Sequence, residues 1–348
     1  MPARSPAGSA LGMFAPVLRA VLYLLDLFVP VLRAALYLAA YVVVQIAVTL
    51  PLRAFAQSPY SGDLFKKGGF GTANEVFLVT VVLSIPLQIL VTWLFVRFLD
   101  RRTLASIGAR WPVGGRGAAL RQLATASLGA VAVLGIWLVL ILALPDALAA
   151  VHDAGISAEF THGPTWWPLP PVLLLVVLLL GFILQGGLEE WIIRGYIYHT
   201  LRERWRPWIA ALGSSMLFAL LHAANPDVSG IALLNIVLAG MVLAAMVERT
   251  GSLWSATLAH GVWNFAVACL LSVPVSGIPL FHLLDVKITG NPDLTGGGFG
   301  PEGSALLTLI GIVLTVLLWR GMWRRKSERA AAVAPVSAPG DVFIPLSP

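Results

Sequence analysis

Residues 186–194, Gly186-Gly187-Leu188-Glu189-Glu190-Trp191-Ile192-Ile193-Arg194, set three ionisable side chains into an apolar run that reaches from Val172 to Leu201. A charge near the centre of a bilayer costs at least ~2.5–3.5 kcal/mol, so such groups mark a functional site with a partner close by. At helical spacing Glu190 and Arg194 stand at i and i+4 and can neutralise each other. Glu189 lies about 100° further round the helix, which leaves it unpaired and free to take up a proton. Three more polar side chains fall in apolar segments: His222, one turn after Phe218, and His260, with Asn264 one turn beyond it. A carboxylate beside a histidine can orient a water and remove its proton. A second histidine and an amide can donate hydrogen bonds to the oxyanion that forms when that water attacks a carbonyl. The chemistry expected is acyl transfer to water. Ser214 and Ser215 lie about two turns from His222 without a nucleophile elbow, so no serine nucleophile is in evidence.

The elements that must position these residues are membrane helices. Of 348 residues, 58% are hydrophobic and 11% charged, with a mean hydropathy of +0.86. That composition excludes a soluble domain and points to an all-α, polytopic membrane helix bundle. Spans of ~20 apolar residues are expected at about 31–52, 76–96, 122–144, 171–200, 207–224, 230–247, 252–272 and 304–320, about eight transmembrane helices in all. The net charge of +6, from 23 Lys and Arg against 17 Asp and Glu, bears on orientation rather than on nucleic acid, because no basic stretch is interleaved with aromatics. Basic residues crowd between Arg97 and Arg121, after span four (Arg202, Arg204, Arg206) and after span eight (Arg324, Arg325, Lys326), while the alternate loops hold almost none. The positive-inside rule then places both termini on the cytoplasmic side, with Lys66 and Lys67 as the violation. Cys269 lies in an apolar run and is read as packing, which rules out an intrachain disulfide framework.

Ahead of the first span, Pro16–Leu24 recurs almost unchanged as Pro30–Leu38. The offset of 14 residues (30 − 16) is about four helical turns, so residues 14–30 read as an interfacial helix leading into that span. The chain divides into 1–96 (interfacial helix and two spans), a catalytic membrane core at 97–272, a Pro/Gly-rich external loop at 273–303, a last span with a basic end at 304–329, and a disordered tail at 330–348. Trp166, Trp167, Trp205, Trp208, Trp319 and Trp323 read as interfacial anchors. Gly186, Gly187 and Gly213 read as close helix contacts.

Depth follows from the hairpins. Positions 189 and 222 are near mirror images about the turn at Trp205-Arg206-Pro207, each roughly 25 Å of helix from it. The turn near Arg249-Thr250-Gly251 sets His260 and Asn264 about 10–14 residues in from the same side. Glu, His, His and Asn are therefore expected at one depth, opened towards the cytoplasm.

Glu189-Glu190-x-x-x-Arg194, Phe218-x-x-x-His222 and His260-x-x-x-Asn264 resemble, in residue type, order and spacing, the three motifs of the CPBP family, the CAAX prenyl protease and bacteriocin-processing (Abi) group. Asp100–Gly108 resembles the basic segment that often precedes the family domain, and the resemblance covers about residues 97–270. It implies an intramembrane endopeptidase acting on membrane-anchored peptides or proteins, prenylated CAAX-type chains among them. Glu189 would activate water with help from His222, His260 and Asn264 would serve the oxyanion, and Glu190, Arg194 and Phe218 would shape the site. It implies no cofactor, and the partners are substrate and the lipid bilayer, with no nucleic acid. Other readings stay open: a zinc metallopeptidase with Glu189, His222 and His260 as ligands, a proton-coupled transporter, or a non-catalytic immunity or scaffold protein.

Overall fold

The computed structural model describes residues 7–57, 72–147, 156–159, 170–279, 285–288 and 290–333. The chain is a helical bundle: α1 (Ala7–Gln57), α2 (Thr72–Leu94), α3 (Gly115–Ala147), α4 (Pro171–Glu190), α5 (Tyr198–Leu201), α6 (Pro207–Leu221), α7 (Gly230–Thr250), α8 (Trp254–Phe265), α9 (Pro292–Thr295) and α10 (Ala305–Val333). Wide π-helical turns extend α2 through Phe95–Leu99, join α4 to α5 through Trp191–Ile197, and extend α8 through Ala266–Leu270. A two-stranded antiparallel ribbon pairs β1 (Ile156–Glu159) with β2 (Asp285–Ile288), Ile156 opposite Ile288.

Among the described residues, six helices are long and apolar enough to cross a membrane. The other two of the eight expected spans are the shorter helices α6, with 15 residues, and α8, with 12 and a π-helical extension to Leu270. At ~1.5 Å per residue α6 covers roughly 22 Å, short of a ~30 Å hydrocarbon core. Its end is set by His222, whose backbone leaves the helix at φ −96°, ψ −2°. A helix can stop at that depth where its freed backbone faces protein or a cavity rather than lipid.

No break separates the N-terminal segment from the first span; α1 runs unbroken through Pro16, Pro30 and Pro51. The two copies have different fates. In the second, Ala34 and Tyr37 are buried, and the Tyr37 ring stacks on Tyr196 with centroids 4.1 Å apart while its hydroxyl meets Thr92 Oγ1 at 2.7 Å. Arg33 pairs with Asp100 at 2.5 Å and also with Glu203. In the first copy, Tyr23 is 68% exposed, and Val17, Leu18 and Leu22 are exposed with it. Asp26, between the copies, pairs with Arg204 at 2.7 Å.

Around the site the helices pair as α4 on α8, α3 on α8, α6 on α7 and α10 on α7. Glycines set the α4–α8 approach: a Cβ on Gly261 would lie 2.5 Å from Ile183 Cα, and one on Gly186 would lie 3.1 Å from Gly261 N. Ser229 caps α7 by accepting from Ala232 N at 3.1 Å, and Gly251, in the left-handed region at φ 63°, ends it. The expected irregular loop at 273–303 carries β2, α9 and two 3₁₀ turns instead. Its glycines permit the compaction, since Gly296 and Gly300 have φ of 90° and 86° with carbonyls packed where Cβ atoms would stand. Trp319, read as an interfacial anchor, is buried and donates to Met241 O at 3.2 Å. Lys66, Lys67, Trp166, Trp167 and the tail beyond Val333 lie outside the described residues.

Tyr37→Ala should lower the stability of detergent-solubilised protein by about 3 kcal/mol, the scale for deleting a buried aromatic ring, whereas Tyr23→Ala at the matching repeat position should stay within about 0.5 kcal/mol. Denaturant titration of the two variants side by side measures the difference.

Candidate functional site

The buried pair comes first. Glu190 and Arg194, on adjacent turns of α4 and its π extension, have fully buried side chains and bond through Arg194 Nη1 and Glu190 Oε1 at 2.8 Å. The same oxygen meets His260 Nδ1 at 2.9 Å, so one carboxylate joins α4 to α8. An ionised carboxylate takes only donors, which assigns the Nδ1 proton to His260 and turns Nε2 the other way. Nε2 lies 3.6 Å from Glu189 Oε2. That is too long for a hydrogen bond and short enough for strong electrostatic coupling.

Phe218 sits at the centre of these groups. The Arg194 guanidinium carbon stands over its ring at 4.5 Å from the centroid, a cation–π contact available to a desolvated guanidinium. His222 and His260 meet the ring edge-to-face, at 4.7 Å and 6.0 Å between centroids. His222 Nδ1 lies 2.9 Å from the Phe218 carbonyl. Donation to that carbonyl places the proton on Nδ1 and leaves Nε2 as the acceptor.

Glu189 is 26% exposed in its side chain and is not unpaired as its sequence position implies. Gln185, one turn earlier on α4, donates from Nε2 to Glu189 Oε1 at 2.5 Å. The Gln185 carbonyl in turn accepts from Asn264 Nδ2 at 2.9 Å. Sequence reading missed Gln185, although its place at i−4 from Glu189 inside an apolar run was a usable signal.

All of these side chains except Glu190 and Arg194 meet a cavity of about 470 Å³. Glu189, His222, His260, Asn264, Gln185 and Phe218 line one part of it, and apolar residues of α3, α7 and α10 such as Val133, Val242, Leu243, Ile310 and Leu314 line the rest. The four residues expected at one depth are thus brought to one space. Ser214 and Ser215 are buried and outside its lining. At its other end Glu302 accepts from Trp263 Nε1 at 3.0 Å and from Ser276 N and Oγ at 2.7 and 2.6 Å. Asn225 Nδ2 holds the Ser276 carbonyl at 2.8 Å, so the 273–303 segment walls the cavity. Among the described residues, no group of three or more His, Cys, Asp or Glu is arranged to hold a metal ion.

Fold and lining together define a multi-pass membrane protein with an acid–histidine–amide site among its helices. Residues 171–266 match the family model described as type II CAAX prenyl endopeptidase Rce1-like. That segment is similar to the family over residues 171–266, and it contains every Glu, His, Asn and Arg named for the site except Glu302, which lies in the later segment. The family is one of membrane proteases acting on membrane-associated substrates. No curated protein matches the chain significantly.

Gly261→Ala should force α4 and α8 apart, costing about 1–3 kcal/mol by overpacking. Gly181→Ala, where nothing lies within 4 Å of the added carbon, should leave thermal unfolding in detergent unchanged.

Proposed function

We propose that this protein is an intramembrane endopeptidase in which Glu189 activates a water molecule to hydrolyse a peptide bond of a membrane-anchored substrate. The observation that carries the reading is the convergence of Glu189, His222, His260 and Asn264 on one cavity. Glu189 is the partly exposed carboxylate of the pair, the only one of the two with a face toward water. It takes the proton of a water that His222 Nε2, the acceptor nitrogen, helps to orient. As the water oxygen attacks the carbonyl, charge moves to the carbonyl oxygen. There the second Asn264 amide hydrogen and a protonated His260 Nε2 can donate to it. Collapse of the tetrahedral intermediate breaks the C–N bond, and the proton held by Glu189 passes to the leaving amine.

The mechanism uses no metal, since Glu189 itself takes the proton from water. The apolar remainder of the cavity suits a substrate carrying a lipid chain or a membrane-spanning segment, and prenylated CAAX-type chains are one such class. Basic loops at the ends of α2 and α5 orient both termini and the mouth of the site to the cytoplasm.

The detergent-purified protein should cut peptides from a library of lipid-anchored and transmembrane substrates. Glu189→Gln should lower kcat by about 10³-fold, within the range for loss of a general base, and His222→Ala should also inactivate. EDTA should have no effect. Cleavage by Glu189→Gln at the wild-type rate would remove the glutamate mechanism, and loss of cleavage in EDTA restored by Zn²⁺ would replace it with a metallopeptidase.

A further inference from the structure

Among the polar side chains that line the cavity and have no part in the proposed mechanism, Gln185 lies next to the proposed base. Gln185 stands between the proposed base and the proposed oxyanion amide, and it contacts both: Nε2 donates to Glu189 Oε1 at 2.5 Å and Oε1 accepts from Asn264 Nδ2 at 2.9 Å. We infer that Gln185 is a positioning residue that holds the Glu189 carboxylate aimed into the cavity and couples it to Asn264 across the α4–α8 contact. The inference rests on the assignment of Glu189 as the base.

Three physical points support it. A carboxylate offers only acceptors, so an ionised Glu189 fixes the Gln185 amide with its N–H₂ inward. That leaves the Gln185 carbonyl as the group facing Asn264, which must present its own N–H₂. The two amides and the carboxylate therefore form a chain in which each donor points the same way, Asn264 to Gln185 to Glu189. Hydrogen bonds in such chains reinforce one another in a site of low dielectric constant. Donation to a carboxylate is a charge-assisted hydrogen bond, stronger than one between neutral groups, so the Gln185 amide fixes the orientation of the Glu189 carboxylate.

The arrangement also limits which oxygen acts. With Oε1 held by Gln185, Oε2 is the oxygen on the His260 side, 3.6 Å from His260 Nε2. The proton from water is received at Oε2, next to the imidazole that meets the oxyanion. Gln185 touches neither water nor substrate in this scheme, and its effect passes through Glu189.

The test is a comparison of Gln185→Leu, Gln185→Glu and wild type, with Glu189→Gln as the reference for the base. For Gln185→Leu, kcat should fall about tenfold with KM unchanged, and the acid limb of the kcat profile should move up by about one pH unit, the scale of a lost hydrogen bond to a charged group. Gln185→Glu sets a second carboxylate beside Glu189, and its acid limb should move up further. Infrared titration of the protonated carboxyl stretch, taken as the difference from Glu189→Gln, should show the same upward shift in Gln185→Leu without any turnover. A wild-type acid limb and a wild-type infrared titration in Gln185→Leu would overturn the inference, as would a loss of kcat that only tracks thermal instability. If Gln185→Leu does not accumulate, the isosteric and polar Gln185→Glu gives the same readouts. Failure of the base assignment appears separately, as cleavage by Glu189→Gln, and the infrared arm still decides whether Gln185 controls the Glu189 carboxyl.

Discussion

One carboxylate oxygen, Glu190 Oε1, holds both the Arg194 guanidinium and the His260 imidazole in the interior of the bundle. Buried charges of this kind are tolerated only with their partners in place, and removing one partner typically costs about 3–5 kcal/mol. Because the partners sit on α4 and α8, the charge requirement is also a packing requirement: the two helices must approach closely and in one register. Gly186 and Gly261 permit that approach. A further glycine, Gly240 on α7, leaves room for Arg194 Nη2 and Ser215, which would lie 2.8 Å and 2.5 Å from an added Cβ. Three helices are thus fitted around a single ion pair, and the orientation of His260 follows from it.

Glu189 and Glu190 show how neighbouring residues of one type acquire different work. Rotation of about 100° carries Glu190 into the protein and Glu189 to the cavity wall. The buried glutamate is held at one oxygen by a cation and a histidine. The cavity glutamate is held by a neutral amide, which orients it without supplying a counter-charge. Phe218 separates the two environments, with the guanidinium on its face and the imidazoles at its edges.

Much of this was legible in the sequence. The Glu190–Arg194 pair follows from i,i+4 spacing, and the meeting of His222, His260 and Asn264 with Glu189 follows from counting residues out from two turns. What was not legible depended on contacts between distant segments. Trp319 looks like an interfacial residue because it is near the end of an apolar run, and it is buried because α10 packs on α7. The 273–303 segment reads as irregular from its glycines and prolines, yet those glycines allow the tight turns that let Glu302 reach Trp263. In α1, two nearly identical nonapeptides have no internal difference that would tell which one is buried. Only the position of Asp100, Glu203 and Tyr196 decides. The length of α6 was overestimated because apolar composition continues to Leu221 and gives no sign that His222 ends the helix.

The π-helical turn at Trp191–Ile197 lies immediately after the two glutamates. Such a turn takes up one more residue than an α-helical turn over the same rise, and it is often found next to functional sites. It divides the long α4–α5 rod into two halves that face their neighbours independently. The half before it presents Gln185 and Glu189 to the cavity. The turn itself sends Tyr196 to α1, and the half after it sends Tyr198 to Glu248 on α7. The turn thereby gives the surface that docks α1 and α7 one angular setting and the acid-bearing face another, without a loop between them.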